Sequence, residues 1–359
     1  MVNAYTEQSI LTEDEFFRRE FGLNLVYDSN VNELMNSEVG IPIIIVSPKP
    51  EIWLPLLRVR PRSSIIFFLI GNETYEPKTY NLLNDLPSIR HVFIYCLPSF
   101  IEWRSKFWAL LGDIYDTWNP LKPNALSGAL RDFKTSFHLE DKFRRANIRY
   151  PHSALPQGYS NSFVKGLTRI GLIPIKDTSS LINNETLDTE IRKVNKVSRF
   201  IFVGQSTNRR RSNCIDIFSS NPANLIITKH SGFGGTNFDG DLSYIKNLTT
   251  AWFNVIPPGH FNNFNHRYTE SLIVRSIPVI LAHNSIDHSA NDNWSNRLKP
   301  LTAHSFRKLK GYLLNLSELE LSRLSTKIRE LDFAKIEACA AAFEKLIDSD
   351  FQDYSKFIV

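Results

Sequence analysis

The chain has 359 residues, of which 42% are hydrophobic and 22% charged, and its formal net charge is +5. This composition excludes an intrinsically disordered chain, and apolar runs much shorter than ~20 residues argue against a membrane-spanning helix. Cys96, Cys214 and Cys339 lie far apart and follow no metal-ligand or disulfide spacing. The N-terminal segment shows no signal-peptide pattern, so we expect a cytoplasmic protein of two ordinary domains. The small positive charge suits an anionic substrate, a nucleic acid or an acidic membrane face without deciding among them.

Strand-like and helix-like segments alternate through the first half. Its strands are predicted where continuous apolar runs are bounded by Gly, Pro, Ser or Arg, a pattern typical of strands buried on both faces of a parallel sheet. The predicted elements are strand 40–47, helix 52–58, strand 63–70, helix 78–84, strand 90–96, and helices near 101–111, 125–134 and 139–145. A segment rich in Pro, Ser, Asn and Thr at 151–195 then predicts a linker.

The same alternation begins again after this segment. The predicted elements are strand 199–204, helix 208–220, strand 224–229, helix 241–248, strand 252–256, helix 265–275, strand 277–281 and a long helix at 315–348. Ser317 and Glu320 form a capping-box pattern at the start of the long helix. The two alternating halves predict an α/β protein of two doubly wound Rossmann-type domains facing a cleft. We expect an N-terminal domain over 1–165, a C-terminal domain over 166–335, and a helix over 336–359 that returns toward the first.

The turn after the strand at 199–204 is a candidate anion site. Gly204 lets the backbone approach a ligand closely, and the N–H groups of the following helix start favour negative charge. Cations near a helix N-terminus are unfavourable unless an anion such as a diphosphate offsets them, although a solvated basic helix face is the alternative. Because successive helical residues point about 100° apart, at most one or two of Arg209, Arg210 and Arg211 can face one cleft. The residues expected at this site are Gly204, Gln205, Ser206, Arg209, Arg210 and Arg211.

A second candidate site follows the Pro-Pro-Gly turn that ends the strand at 252–256. Arg267 and Glu270 share a helix face at the presumed carboxyl edge of the sheet, where open α/β sheets bind ligands. The carboxylate can accept both hydroxyls of a ribose, and the guanidinium can hold phosphate oxygens. A surface ion pair worth at most ~1 kcal/mol is the alternative interpretation.

The stretch from Tyr244 to Leu281 resembles the signature of the exostosin-like glycosyltransferases. The positions in step with that signature are Tyr244, Leu248, Phe253, Pro257, Gly259, Arg267, Glu270, Leu272, Ile277, Pro278 and Val279. The earlier segment from Phe200 to Phe218 is also similar to a motif of the family. The chain departs from the pattern at Asn265, at Ser271 and at the pair Arg275-Ser276, where the family has Gly-Cys. The resemblance covers about 199–300.

This resemblance implies a GT-B-like fold and transfer of a sugar, with inversion, from a nucleotide donor that is usually UDP-linked. It implies that Glu270 holds the donor ribose, while Arg267 and one arginine of 209–211 neutralise the leaving diphosphate. Pro258, Gly259 and His260 are expected to border the donor. No metal or other cofactor is expected to be required, because positive charge and helix dipoles can stabilise the leaving diphosphate.

The resemblance also implies a bacterial cytoplasmic enzyme of surface polysaccharide or glycolipid synthesis. The expected partners are a nucleotide sugar and a saccharide or lipid-linked saccharide acceptor; peripheral association with the inner face of the membrane and the oligomeric state are left open. A nucleic-acid partner is not expected, because only Arg209–Arg211 approaches a basic stripe.

An inverting displacement needs a base that removes the acceptor proton, and we expect it in the first half. The candidates are Glu73, Asp113 and His152, although a turn carboxylate is more often a cap and a histidine more often structural. Two other functions are kept open. A sulfotransferase-like enzyme would need a phosphate-binding loop near the N-terminus, where no Gly-rich loop occurs; a non-catalytic saccharide- or nucleotide-binding relative would retain the sites without the reaction.

Overall fold

The structure is a computed structural model in which two parallel sheets are surrounded by helices. It describes residues 2–7, 13–27, 42–59, 64–70, 77–86, 88–95, 103–117, 127–131, 134, 147–204, 209–219, 225–228, 242–257, 266–281 and 294–355. One sheet is built from the first half of the chain and the other from the second half, so the predicted α/β architecture is confirmed.

The first sheet has six strands in the order β2-β1-β3-β4-β5-β6, and every neighbouring pair is parallel. The strands are β1 (Val2–Thr6), β2 (Leu23–Tyr27), β3 (Ile43–Ser47), β4 (Ile65–Leu69), β5 (Ile89–Ile94) and β6 (His152–Ala154). The helices of this half are α1 (Asp14–Phe21), α2 (Pro50–Val59), α3 (Pro77–Leu82) and α4 (Trp103–Thr117). Residues 127–131 are also helical, and the helix predicted at 139–145 lies outside the described residues.

Strands β3 and β4 are fully buried along their whole length, as their apolar runs predict. One face of the sheet packs Phe68 and Phe93 against Phe17 of α1. The opposite face packs Phe67 and its neighbours against Trp53 and other residues of α2 and α3. Helices on both faces explain why these strands carry no polar face.

The segment 151–195 is folded, in contrast to the predicted linker. It contains β6 and the helices α5 (Asn161–Arg169) and α6 (Glu185–Lys193). Ser160 and Asn184 cap the two helices, since their side chains accept hydrogen bonds from the amides of Phe163 and Leu187. The predicted domain boundary between 165 and 166 therefore falls inside a continuous helix.

The second sheet has four parallel strands in the order β10-β9-β7-β8. Its strands are β7 (Ser198–Gly204), β8 (Leu225–Thr228), β9 (Ala251–Val255) and β10 (Ile277–Val279). The helices of this half are α7 (Arg209–Ser219), α8 (Leu242–Thr249), α9 (His266–Ile273), α10 (Pro300–His304), α11 (Phe306–Leu314) and α12 (Glu318–Ser355). Each of these strands, and each helix predicted between them, lies within a few residues of its prediction.

Helix α12 is one continuous helix of 38 residues, so the predicted boundary between 335 and 336 also falls inside a helix. The predicted capping box forms: Ser317 N donates to Glu320 Oε2 at 2.8 Å, and Glu320 N donates to Ser317 Oγ at 3.4 Å. Tyr268 OH donates to Asp332 Oδ2 at 2.7 Å and attaches α12 to α9. Further along, the Phe343 ring contacts Phe68 of the first sheet at 5.3 Å. The helix thus packs against both halves.

Arg275 follows α9 with a φ of 56°, in the left-handed region that favours glycine. The turn closes as a Schellman motif, in which Ser276 N donates to Ser271 O at 2.8 Å and Arg275 N donates to Leu272 O at 3.1 Å. The motif that this stretch resembles has glycine at this position, and the backbone geometry gives the physical reason. The arginine side chain instead bonds Asp188 of α6, with Nε to Oδ1 at 2.7 Å and Nη2 to Oδ2 at 2.9 Å.

We expect Arg275→Gly to destabilise the protein by about 1 kcal/mol, because the lost ion pair outweighs the relief of ~1 kcal/mol from the left-handed backbone. Arg275→Ala loses the same ion pair and keeps the backbone cost, so it should be less stable than the glycine variant by about 1 kcal/mol. Urea denaturation of the three proteins measures this order. Equal stability of the alanine and glycine variants would contradict a left-handed residue at this position.

Candidate functional site

The second sheet changes direction between β7 and β9. From β7 the chain passes through α7 to β8 on one side, and from β9 it passes through α9 to β10 on the other. The chain therefore runs in opposite directions from β7 and from β9, so the carboxyl edge between these strands is a switch point, where open α/β sheets bind ligands in a crevice. The helices α7 and α9 begin beside this crevice.

Arg267 lies at this switch point, in the first turn of α9. Its Nη1 donates a hydrogen bond to the carbonyl of Val203, next to the end of β7. Its guanidinium also lies 5.8 Å from the centre of the Tyr244 ring. Burial, and then the nearby charge of Arg267, lower the pKa of Arg211 below its ordinary value. The two guanidinium groups thus concentrate positive charge at the crevice.

Glu270 lies one helical turn further along and is only 1% exposed. Its Oε1 accepts hydrogen bonds from Ser160 Oγ at 2.6 Å and from Ser160 N at 3.1 Å. Its Oε2 accepts a hydrogen bond from Tyr244 OH at 3.3 Å. Burial, and then the charge of Glu270, raise the pKa of Tyr244 well above its ordinary value, so the phenol remains a donor. The carboxylate therefore connects the second half to the start of α5.

The crevice beside these residues has a cavity volume of about 10 Å³, room for about one water molecule. It is lined by Ser160, Ser162, Phe163, Tyr244, Ile245, His266, Arg267 and Glu270. Nδ1 of His266 is buried and has no hydrogen-bond partner among the described residues. Since small-molecule sites usually measure ~300–1,000 Å³, a nucleotide does not fit this crevice as it stands, and its binding requires the crevice to open.

The arginines at the start of α7 divide between two directions. Arg209 donates to Asp113 Oδ2 in α4, and Arg210 lies 3.9 Å from the same oxygen. Arg211 lies near Arg267 instead. The expectation that these residues cannot all face one cleft agrees with this division. Asp113, a candidate base, is buried and engaged by Arg209, so two residues expected to serve different roles bond each other.

Asp116 lies one turn beyond Asp113 and attaches α4 to the second half. Its carboxylate accepts hydrogen bonds from Ser305 Oγ at 2.5 Å, Phe306 N at 2.7 Å and Arg307 N at 3.0 Å, and so caps α11. Burial raises the pKa of Asp116 to about 6, although these hydrogen bonds oppose the shift. This residue contributes to docking of the two halves.

His152 lies at the amino end of β6, away from the carboxyl edge. Its Nδ1 is 3.0 Å from the carbonyl of Tyr150, and its ring contacts the ring of Tyr150. Burial, and then the nearby His152, lower the pKa of His91 below its ordinary value. The structure therefore does not bring His152 together with Arg267 and Glu270. Six further expected site residues lie outside the described residues: Glu73, Gln205, Ser206, Pro258, Gly259 and His260. Gly204 is described as the last residue of β7.

The carboxyl edges of the two sheets face each other. The segment that follows β6 packs against α9. Thr269 Oγ1 donates to the carbonyl of Gln157 at 2.5 Å, and Ser160 Oγ donates to Glu270. Ser160 is a site residue that the sequence analysis missed. The sequence signal for this residue is local: serine is a preferred helix N-cap, and its hydroxyl typically accepts from the amide three residues further on, here that of Phe163. Nothing in the sequence shows that the same hydroxyl also reaches Glu270.

Comparisons with known proteins add little to this description. No protein-family model matches the chain, and no curated protein sequence matches it. The solved structures that are similar to it include an α1,3-fucosyltransferase, with 11% identity, a TM-score of 0.39, and coverage of 96% of this chain and 89% of that chain. They also include T4 phage BGT in complex with its UDP-glucose substrate, with 13% identity, a TM-score of 0.33, and coverage of 97% and 100%. At these TM-scores neither similarity establishes a common fold. Among the described helices, none is both long and apolar enough to cross a bilayer.

Proposed function

We propose that this chain is an inverting glycosyltransferase that takes a sugar from a nucleotide donor, with UDP as the expected nucleotide. The observation that carries the proposal is the position of Arg267 and Glu270 at the switch point of the second sheet, beside Arg211. The resemblance of the stretch around them to exostosin-like glycosyltransferases supports the same function.

The donor would bind at the carboxyl edge of the second sheet. The guanidinium groups of Arg267 and Arg211 would hold the diphosphate, together with the N–H groups at the starts of α7 and α9. They would stabilise the negative charge that develops on the diphosphate as the sugar leaves, without a required metal. Gly204 would allow close approach of the backbone.

Glu270 would accept the ribose hydroxyls. Its present donors include Ser160, so a bound ribose would replace that hydroxyl as the partner of Oε1. Because Ser160 begins α5 and Glu270 belongs to α9, this exchange would link nucleotide binding to the contact between the halves. Closure around the donor would then exclude water from the reacting atoms.

The first half would hold the acceptor, which we propose to be a saccharide or a lipid-linked saccharide in surface polysaccharide or glycolipid synthesis. The two facing carboxyl edges support this division, since an acceptor between them would lie next to the donor. Cytoplasmic location, with peripheral attachment to the inner face of the membrane, belongs to the same proposal.

A thermal-shift comparison of UDP, GDP, CMP and ADP tests nucleotide binding. We expect UDP to raise the melting temperature most, because a ligand that binds only the native state stabilises it by about 2.7 kcal/mol at a concentration of 100 Kd. Equal shifts from all four nucleotides, or none, would contradict the proposal.

Glu270→Gln distinguishes a nucleotide site from a saccharide-binding module that ignores nucleotides. The amide keeps the size of the side chain and can still accept from Ser160, so the fold should persist, while the charge that binds ribose hydroxyls is lost. We expect the shift caused by UDP to fall, and isothermal titration to show about 10-fold weaker binding or more. Unchanged UDP affinity would remove Glu270 from the site.

A further inference from the structure

The first sheet has a switch point of its own, between β1 and β3. From β1 the chain passes through α1 to β2 on one side, while β3 to β6 lie on the other side. Glu7 follows directly after β1, and Ser47 ends β3, so both lie at the carboxyl edge beside this switch point. The sequence analysis predicted no element here and did not consider Glu7.

Glu7 is 8% exposed, and its two carboxylate oxygens differ in environment. Oε2 accepts hydrogen bonds from Ser47 Oγ and from Trp53 Nε1, the latter at 3.3 Å. Oε1 is buried and has no hydrogen-bond donor among the described residues, and the same is true of Oγ1 of the preceding Thr6. A buried polar atom left without a partner destabilises the folded state, so this oxygen requires an explanation.

A purely structural role accounts for only half of the carboxylate. The bonds to Ser47 and Trp53 tie the end of β1 to the end of β3 and to α2, and they use Oε2 alone. By contrast, Glu20 is a partly buried carboxylate of the same half with both oxygens engaged: Oε1 accepts from Tyr159 OH at 2.7 Å, and Oε2 accepts from Ser180 Oγ at 2.6 Å.

Asp14 also has a carboxylate oxygen with no hydrogen-bond partner among the described residues, but its position is different. Its other oxygen is bonded by Tyr27, at the end of β2, which is the outermost strand of the sheet. Asp14 therefore lies to one side of the switch point, whereas Glu7 lies at it.

The start of α1 places this switch point near the crevice between the halves. Glu15 N, in the first turn of α1, donates to Asn161 Oδ1 at 2.8 Å, and Asn161 is next to the Ser160 that bonds Glu270. The helix that follows β1 thus begins beside the contact between the facing carboxyl edges. An acceptor bound on the first sheet at Glu7 would approach the donor site from the opposite side.

We propose that Glu7 is the general base of the transfer, an inference that rests on the proposed function. Oε1 takes the proton from the attacking acceptor hydroxyl, while Ser47 and Trp53 hold Oε2 and fix the orientation of the carboxylate. The acceptor oxygen forms a bond to the anomeric carbon on the face opposite the diphosphate. The bond from that carbon to the diphosphate oxygen breaks, its electron pair leaves with the nucleoside diphosphate, and Glu7 then releases its proton to solvent.

Glu7→Gln tests this assignment through release of UDP from UDP-glucose, UDP-galactose and UDP-N-acetylglucosamine, with water and with a mixture of simple saccharides as acceptors. We expect the rate of UDP release to fall about 10²–10⁴-fold, because the amide cannot take a proton. The thermal shift caused by UDP should be unchanged, since the nucleotide binds the other half.

Glu20→Gln is the matched control, because it changes a partly buried carboxylate of the same half that the mechanism does not use. It should lower the melting temperature and leave the rate unchanged. Glu7→Asp keeps a carboxylate and should retain more activity than Glu7→Gln, which separates loss of the base from misfolding.

The outcomes distinguish this assignment from the proposed function. Absence of any nucleotide-induced shift in wild-type protein would overturn the nucleotide site itself. Binding of UDP together with equal UDP release by wild type and Glu7→Gln would overturn only the role of Glu7, as would UDP binding with no release from any of the three donors.

Discussion

Arg267→Met is expected to weaken UDP binding by about 10- to 100-fold, the loss typical of charge-assisted hydrogen bonds. The guanidinium bonds the Val203 carbonyl at the end of β7 and lies over the Tyr244 ring, so it is already oriented at the switch point. Methionine keeps much of the length and the apolar contact while removing the charge. Isothermal titration with UDP at two salt concentrations measures the loss.

The salt dependence of binding separates a direct phosphate contact from a change in fold. Binding by wild-type protein should weaken more steeply with salt than binding by the variant, because one fewer positive charge meets the diphosphate. Arg323→Met removes a positive charge from an exposed position on α12 and should leave UDP affinity within about twofold, since distant exposed charges are screened. If the two variants bind UDP equally well, Arg267 does not contact the nucleotide.

Asp188→Asn is expected to destabilise the protein by about 2–3 kcal/mol, the cost of losing hydrogen bonds between partly buried charged groups. Asp188 bonds both Arg275 and Arg329, whose side chains are each 11% exposed, and the contact to Arg329 Nη1 is 2.5 Å. Asparagine keeps the shape but leaves two guanidinium groups close together with no opposing charge. Urea denaturation at pH 7 measures the difference.

The same ion cluster gives a defined pH dependence. Burial would raise the pKa of Asp188, but the hydrogen bonds from Arg275 and Arg192 and the charge of Arg329 outweigh it and hold the pKa below its ordinary value of 3.8. Because the pKa is lower in the folded state, the stabilisation is fully present above about pH 4 and is lost as the pH falls through the folded-state value.

The stability difference between wild type and Asp188→Asn should therefore be constant from about pH 5 to 8 and shrink below about pH 4. Glu190→Gln is the control on the same helix, since its partner Lys193 is 65% exposed and such a pair contributes at most ~1 kcal/mol. A difference that grows on acidification would contradict the lowered pKa.

Much of the sheet structure could be predicted because buried parallel strands have a simple pattern. The apolar runs that became β3 and β4 are continuous and have no helical spacing. The N-terminal unit of β1, α1 and β2 was missed, because Val2–Thr6 and Leu23–Tyr27 are short and mix polar with apolar residues. The region of α5 and α6 was read as a linker, because its Ser and Asn residues are typical of loops as well as of helix caps.

The candidate site was predictable only where its residues are neighbours in sequence. Arg267 and Glu270 share a helix face by spacing alone, and the position after a predicted strand suggests the sheet edge. The bonds of Glu270 to Ser160 and of Asp113 to Arg209 join residues 110 and 96 positions apart. Such contacts depend on how the halves dock, which no local pattern contains.

Helix α12 limits how the crevice can open. At a rise of about 1.5 Å per residue, a helix of 38 residues is about 57 Å long. It is anchored at Asp332 to the helix that carries Arg267 and at Phe343 to the opposite sheet. Pulling the halves straight apart would break one of these anchors, whereas rotating one half against the other about the axis of α12 would keep both. Substrate entry and product exit are therefore most easily served by a rotation of one half against the other.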